Sequence, residues 1–286
     1  MKFGLFRKFG AMNSVPIFDA FSRSIERKGW HVVDNDTDVD VAVIWSVLWE
    51  GRMTQNQNIW NHFKAVNKPI IVLEVGGLNR GILWKVGING INGDAYFGPS
   101  GNSDQRRRKL GINLRPWHKS NNIIICGQHA KSQQWHGMPD MSRWIEETIS
   151  KLRVHTDRPI VVRPHPRFMY KKKDFFKDVT IDWPEQIPNT YDSFNFEEKL
   201  KSAWAIVNWN SNPATLAAID GVPVFVGSSS LAAPVGNLDW SKIENPEMSD
   251  REQWANDIAY TEWSIEEIEK GIPLDRLSDM LTSKRK

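Results

Sequence analysis

Two short stretches hold the residues best suited to chemistry. The first, Ile160-Val-Val-Arg-Pro-His-Pro-Arg167, is an apolar strand running into a histidine between two prolines, with an arginine on either side. Proline fixes its own φ and pushes the preceding residue toward extended geometry, so His165 is held at the strand's carboxyl end. Ligands of open α/β sheets bind in the crevice outside such ends. The second stretch is Ile206-Val-Asn-Trp-Asn-Ser-Asn-Pro-Ala-Thr-Leu-Ala-Ala-Ile-Asp-Gly-Val-Pro-Val-Phe-Val226. It reads as strand, polar turn, short helix, tight turn and strand. Asn212 is an N-cap candidate, Pro213 suits the first helical position, and Gly221 suits a left-handed C-cap. Free N–H groups at such a helix start make an anion site that fits a diphosphate. Arg163, His165 and Arg167 would meet Asn210, Ser211, Asn212 and Thr215 over one phosphate-sized space. The same stretch also reads as an ordinary crossover of an α/β domain.

A third locus is acidic. Ile70-Ile-Val-Leu-Glu-Val75 is an apolar strand ending on Glu74, followed by Gly76-Gly77. A carboxylate at a strand's carboxyl end, with glycines admitting a ligand, is well placed to act as a general base. A solvated strand-end glutamate is the competing reading. Asp94, in the Gly/Asn-rich loop Asn89-Gly-Ile-Asn-Gly-Asp94, is the second candidate. Further along, Gln128 follows the strand Ile123–Cys126 in a Gly127-Gln128-His129 turn and would floor the same site.

These loci need a sheet to position them. Residues 1–100 alternate strand and helix: Phe3–Phe6, a helix over Ser14–Lys28, His31–Val33, Val39–Trp45, a helix over Gln57–Val66, then the Glu74 strand. Such alternation predicts a parallel, doubly wound sheet. No Gly-x-Gly-x-x-Gly follows the first strand, so the dinucleotide-binding fingerprint is absent. Gly98-Pro-Ser-Gly-Asn-Ser-Asp104 has a linker composition, and the boundary falls near residue 120. The second half alternates again, with a helix over Pro139–Arg153, a capping box at Asn195–Glu198, and two closing helices near 250–260 and 264–270.

Composition narrows the classes. The chain has 286 residues, 40% apolar and 25% charged, which is a globular composition. There is no apolar run of membrane-spanning length and no secretory leader at Met1-Lys-Phe-Gly-Leu-Phe6. The single cysteine, Cys126, excludes internal disulfides and suits a reducing cytoplasm. Net charge is +3, which permits an anionic partner without requiring one. The densest basic run is Arg106-Arg-Arg-Lys109, with a second at Lys171-Lys-Lys173. Such runs are usually solvated surface, and beside a cleft they also fit a nucleic-acid backbone.

The Arg-Pro-His-Pro strand end, the Asn/Ser-rich turn, the Ala-rich helix and the Gly-Val-Pro-Val ending together resemble the nucleotide-sugar-binding half of GT-B glycosyltransferases. The similarity is greatest to the capsule and lipopolysaccharide type and covers about residues 121–270. The ending Asp257-Ile-Ala-Tyr-Thr-Glu-Trp-Ser-Ile-Glu-Glu-Ile268 is similar to small proteins of tailed bacteriophages. The resemblance implies two Rossmann-like doubly wound domains facing a cleft. The first, 1–120, would carry the acceptor and the base. The second, 121–286, would bind the donor, with its terminal helices packing back on the first. It also implies a catalytic carboxylate on the first domain, which favours Glu74 over Asp94.

On that reading a sugar moves from a nucleotide-sugar, UDP-linked by preference, to a hydroxyl acceptor. Gln128, Arg163, His165, Arg167 and residues Asn210–Asn212 and Thr215 would hold the donor. No Asp-x-Asp motif is present, and cationic or dipolar groups make a divalent metal non-obligatory. The phage likeness and the basic run point to 5-hydroxymethylated pyrimidine in duplex phage DNA as acceptor. Arg106–Lys109 would then lie on phosphate, and Trp45, Trp49 and Trp84 could wedge a flipped base, although core packing explains each of them equally well. Transfer to a surface polysaccharide or lipopolysaccharide is the alternative. A non-catalytic nucleic-acid-binding protein is the alternative of another class.

Overall fold

The computed structural model describes residues 1–171, 173, 176, 178–190 and 192–283. Lys172 of the second basic run and the terminal Lys284–Lys286 lie outside the described residues. In chain order the regular elements begin β1 (Lys2–Leu5), α1 (Val15–Arg27), β2 (His31–Asp34), β3 (Val41–Trp45), α2 (Thr54–Ala65), β4 (Ile70–Val75) and β5 (Trp84–Ile88). They continue with α3 (Gln105–Lys109), β6 (Asn122–Cys126), α4 (Met141–Arg153), β7 (Ile160–Arg163), β8 (Val179–Ile181), α5 (Glu197–Leu200) and β9 (Ala203–Val207). The last are α6 (Pro213–Asp220), β10 (Val224–Phe225), α7 (Glu252–Ile258), β11 (Glu262–Trp263), α8 (Ile265–Glu269) and α9 (Ile272–Thr282). The chain forms two compact units. One comprises Met1–Ser103, Lys131–Gln134 and the chain from Asp257 onward; the other comprises Asp104–Ala130 and Trp135–Asn256. Residues 104–120 thus belong with the second unit.

The first unit holds a six-stranded sheet in the order β11-β5-β4-β3-β1-β2. Strands β1 to β4 are parallel, whereas β5 pairs antiparallel with β4 and β11, at the edge, pairs antiparallel with β5. The sequence predicts only the parallel part. The turn from Gly76 to Leu83 is too short for a crossover, which needs a dozen or more residues, so β5 must return antiparallel. The β3 run is buried on both faces, which is why it is continuously apolar. On one face α1 lays Ile17, Phe18, Phe21 and Ile25 against Phe3, Leu5, Val41 and Val43, joined by Ile268 of α8 and Leu274 and Leu277 of α9. On the other, Ile59, Trp60 and Phe63 of α2 cover Ala42, Ile44, Ile70 and Val72.

The second unit holds five strands, all parallel, in the order β10-β9-β6-β7-β8. Helix α4 starts on a true cap, Asp140 accepting from the Ser142 N–H at 2.9 Å. It buries Met141, Trp144, Ile145, Ile149 and Leu152. Helix α6 ends at Gly221 with φ +87°. A Cβ there would come within 2.2 Å of the Pro116 carbonyl oxygen, so only glycine fits. The capping box predicted at Asn195–Glu198 is not formed. The Asn195 side-chain oxygen instead accepts from Arg163 at 2.8 Å and from the Glu185 N–H at 3.1 Å. A capping box does occur at Ser264–Glu267, where α8 begins. Among the described residues no helix is long and apolar enough to cross a membrane.

Candidate functional site

In the second unit the strand order reverses at β6, with β7 and β8 to one side and β9 and β10 to the other. The crevice beyond the carboxyl ends of β6 and β9 is therefore where a ligand of such a sheet binds. The loops bounding it are tied together. Gln128, buried just after β6, accepts from the Asn210 N–H at 3.3 Å. The Asn210 amide donates to Ser229 Oγ at 2.9 Å, which brings in the serine loop after β10. Asn208, fully buried, donates to the Ser211 carbonyl at 2.9 Å and to Ser211 Oγ at 3.1 Å, and its own Oδ1 has no partner among the described residues.

His165 stands on the same sheet edge, after β7. Its ring meets that of His129 edge to face, with centroids 5.2 Å apart. Gly127 is a close approach between these loops, a Cβ there lying 3.2 Å from the His165 nitrogen. Nδ1 of His165 accepts from the Arg167 N–H at 3.2 Å, so the neutral ring carries its proton on Nε2. Arg167 is exposed and 3.5 Å from Asp192.

Three members of the expected donor set are placed as follows. Arg163 is buried and turned inward: it pairs with Asp182 and donates to the Asn195 carbonyl oxygen at 3.0 Å. Its charge is used to tie β7 to the segment after β8. Asn212 has helical φ and ψ of −56° and −30° and makes no side-chain cap bond, because the turn ahead of it is already closed by Asn208. Thr215 is buried in the body of α6. Cys126, at the end of β6, is buried too, and burial pushes its thiol up to about 12, which leaves it unreactive.

The acidic locus belongs to the first unit. Glu74 is half-buried near the end of β4, beside the end of β3. Ser46, directly after β3, has φ +63°. Its hydroxyl accepts from the Leu48 N–H at 3.1 Å and donates to Glu74 Oε2 at 2.5 Å, while Glu74 Oε1 accepts from the Val75 N–H at 2.7 Å. Burial pushes the Glu74 carboxyl above its ordinary range, opposed by these hydrogen bonds and by the positive charge of Lys85. A carboxylate tuned upward at a strand end is what proton abstraction from a hydroxyl asks for.

The glycines after β4 do not admit a ligand. A Cβ on Gly76 would lie 2.3 Å from the Leu83 carbonyl oxygen and 2.5 Å from Glu262 Oε2. The Glu262 carboxylate already accepts from the N–H groups of Gly77, at 2.7 Å, and Leu78, at 2.9 Å. Asp94 is exposed, on a loop leaving the sheet at the opposite end of β4, where the Asn89 N–H bonds the Ile70 carbonyl oxygen at 2.7 Å. Sequence reasoning missed Lys85, Glu262 and Asn56. The signal for Lys85 was a charge inside the apolar run Leu83–Ile88. Asn56 donates to the carbonyl oxygens of Trp45 at 2.7 Å and Phe9 at 3.3 Å, tying the loops after β1 and β3. Its buried Oδ1 has no partner among the described residues.

The basic run forms helix α3 and is largely engaged within its own unit. Arg106 is buried; Arg107 donates to Asn256 at 2.9 Å and to Glu252 at 2.8 Å; Arg108 pairs with Asp104 at 2.5 Å. Lys109 is exposed. The tryptophans expected as wedges are packed: Trp45 and Trp84 are buried with centroids 5.8 Å apart, and Trp49 donates to Gln133 at 3.1 Å.

No protein-family model matches the chain, and no curated protein matches it. Solved structures do. The chain is similar to Thermosulfurimonas dismutans KpsC, described as a beta Kdo 2,4 transferase, with 14% identity over 96% of this chain and 98% of that one and a TM-score of 0.55. It is equally similar to the beta Kdo 2,7 transferase of the same KpsC, with 16% identity over 96% of this chain and all of the other, again at 0.55. At these identities the likeness is one of fold. The chain has the GT-B fold that the two strand ends of the second unit implied.

Proposed function

We propose that the chain is a glycosyltransferase that moves a sugar from a nucleotide-sugar to a hydroxyl of a saccharide acceptor. The observation that carries this is the bonded loop cluster at the β6/β9 switch point, where Gln128 and Asn210 join and His165 projects from the next strand end. In the second unit the donor diphosphate would take hydrogen bonds from His165 Nε2–H, Arg167 and the polar turn Asn210–Asn212. These donors stabilise charge on the departing nucleotide without an obligatory divalent metal. In the first unit Glu74 would accept the acceptor hydroxyl's proton. UDP is the nucleotide to test first.

The fold likeness to the two Kdo transferases of KpsC supports a saccharide acceptor. Modified DNA is the weaker reading. Arg106, Arg107 and Arg108 are buried or paired, and Trp45 and Trp84 are packed in the core. The direct test incubates the protein with a panel of nucleotide-sugars and follows nucleotide release with oligosaccharide acceptors and with duplex DNA carrying 5-hydroxymethylcytosine. Nucleotide release stimulated by an oligosaccharide supports the proposal. Stimulation by the modified duplex alone overturns the saccharide acceptor, and no turnover with any donor overturns the activity.

A further inference from the structure

Three charged side chains stand in one row across the carboxyl-end region of the first unit's sheet. Glu74 on β4 is the register partner of Lys85 on β5, and Lys85 is the register partner of Glu262 on β11. Directly paired residues of neighbouring strands point to the same face, so the row reads acid, base, acid on one side of the sheet. Lys85 is 5% exposed and Glu262 1% exposed. An ammonium and a carboxylate this deeply withdrawn from water persist only when compensated. Glu262 has its compensation from the Gly77 and Leu78 N–H groups, and Lys85 donates to the Ile91 carbonyl oxygen at 3.4 Å. The Lys85 charge is thus held between two carboxylates, only one of which, Glu74, is partly open to solvent.

We propose that Lys85 is a positioning residue for Glu74: its buried ammonium keeps the carboxylate ionised and aligned between Ser46 Oγ and the Val75 N–H, with Glu262 setting how much of that charge Glu74 receives. The proposal rests on the reading of Glu74 as the base. A carboxylate offers about four acceptor positions, and Ser46 and Val75 use two of them. The rest can receive a proton from an acceptor hydroxyl. The charged and titratable groups around Glu74 are Lys85 on β5 and Arg80 in the β4–β5 turn, both of which favour its ionised form. Burial pulls the Lys85 ammonium below its ordinary range, and the Glu262 and Glu74 charges oppose that, so Glu262 on β11 bears on Glu74 by sharing Lys85 with it. His62 and Lys64 of α2, the helix over this face, are exposed. Ser46 on the β3 side contributes a hydrogen bond and no charge.

A row that merely pinned β11 to the sheet would stabilise the fold without controlling the Glu74 proton. The two roles separate by the sign of a titration. Carboxyl-carbon NMR of glutamate-labelled protein, with the Glu74 signal assigned from Glu74→Gln, follows that proton directly and needs no turnover. Lys85→Met is expected to raise the Glu74 midpoint by about one pH unit or more. Glu262→Gln, which leaves Lys85 to Glu74 alone, is expected to lower it, and Lys85→Arg to keep it near the wild-type value. The acid limb of the kcat/KM profile should move with each midpoint. If Lys85→Met does not fold, the downward shift in Glu262→Gln still decides. An unmoved midpoint, or shifts of the same sign in both variants, overturns the positioning role. Full activity in Glu74→Gln instead overturns the base reading beneath it, so the two failures are told apart.

Discussion

Ser46 donates its hydroxyl to Glu74 at 2.5 Å, joining the carboxyl ends of two adjacent parallel strands. The serine sits at φ +63°, a conformation that costs a non-glycine residue roughly 1–2 kcal/mol. Its hydroxyl is fixed from both sides, accepting from Leu48 and giving to Glu74. The strained backbone therefore serves to hold a proton donor against a carboxylate at the end of β4. This is the arrangement on which the catalytic assignment rests.

Glu74→Gln should keep UDP binding and lose roughly 10²–10⁴-fold in turnover. Stability should move the other way. Burial raises the Glu74 carboxyl in the folded chain, so its contribution is fully present below the unfolded value of about 4.3 and is lost as pH rises through the folded value. At neutral pH the neutral glutamine removes that cost, and the variant should melt at or above the wild type. A variant that melts lower and is also inactive would make Glu74 a structural residue.

For the donor side, UDP should raise the melting temperature, since a ligand selective for the folded state stabilises it by mass action. His165→Ala should reduce that shift while leaving the unliganded melting temperature nearly unchanged, because the residue is half-buried and outside the core. Arg163→Ala should behave differently. It removes the buried partner of Asp182, leaving that carboxylate only Lys199 at 2.8 Å, and should destabilise the unit whether or not UDP is present. Equal UDP-induced shifts in wild type and His165→Ala would remove the histidine from the site.

What the sequence made legible is the part governed by local rules. Pro164 and Pro166 mark His165 as a strand-end residue, and Gly221 announces the α6 stop, because proline and glycine constrain the backbone wherever they occur. Glu74 could be read from its position closing an apolar strand. Arg163 could not be read correctly, since its partner Asp182 lies beyond a long connection and nothing local declares the pair. Lys85 and Glu262 were hidden for the same reason: they meet only because β11, from the end of the chain, pairs with β5. The arginine run was misleading in the opposite way. Its charges are conspicuous in sequence and are taken up by Asn256, Glu252 and Asp104 in the fold.

Gly221→Ala tests the turn that sets the end of α6. The substitution combines an unfavourable positive φ with a Cβ 2.2 Å from a backbone oxygen, and neither can relax through a side-chain rotation. A loss of at least roughly 2 kcal/mol is expected, lowering the melting temperature by several degrees. Differential scanning calorimetry reads this directly. An unchanged transition would mean that residues 115–116 yield freely.

The acceptor question comes down to how many cations can release counterions from a duplex. Each phosphate neutralised adds about −0.9 to the log–log salt slope, so four free cations at residues 106–109 would give about −3.6. Arg106 is buried, Arg107 is bonded to Asn256 and Glu252, and Arg108 is paired with Asp104. Engaged guanidiniums bind phosphate only by giving up those partners, so a slope near −1 or shallower is expected for duplex DNA, with or without hydroxymethylation. Arg107→Ala should then lower the melting temperature, by leaving Asn256 and Glu252 without their donor, and should hardly change DNA affinity. Replacing all four residues by alanine should leave transfer to an oligosaccharide unchanged in any variant that still folds. A steep slope in the wild type that the fourfold variant flattens, accompanied by sugar transfer to the modified duplex, would restore DNA as the acceptor and displace the saccharide.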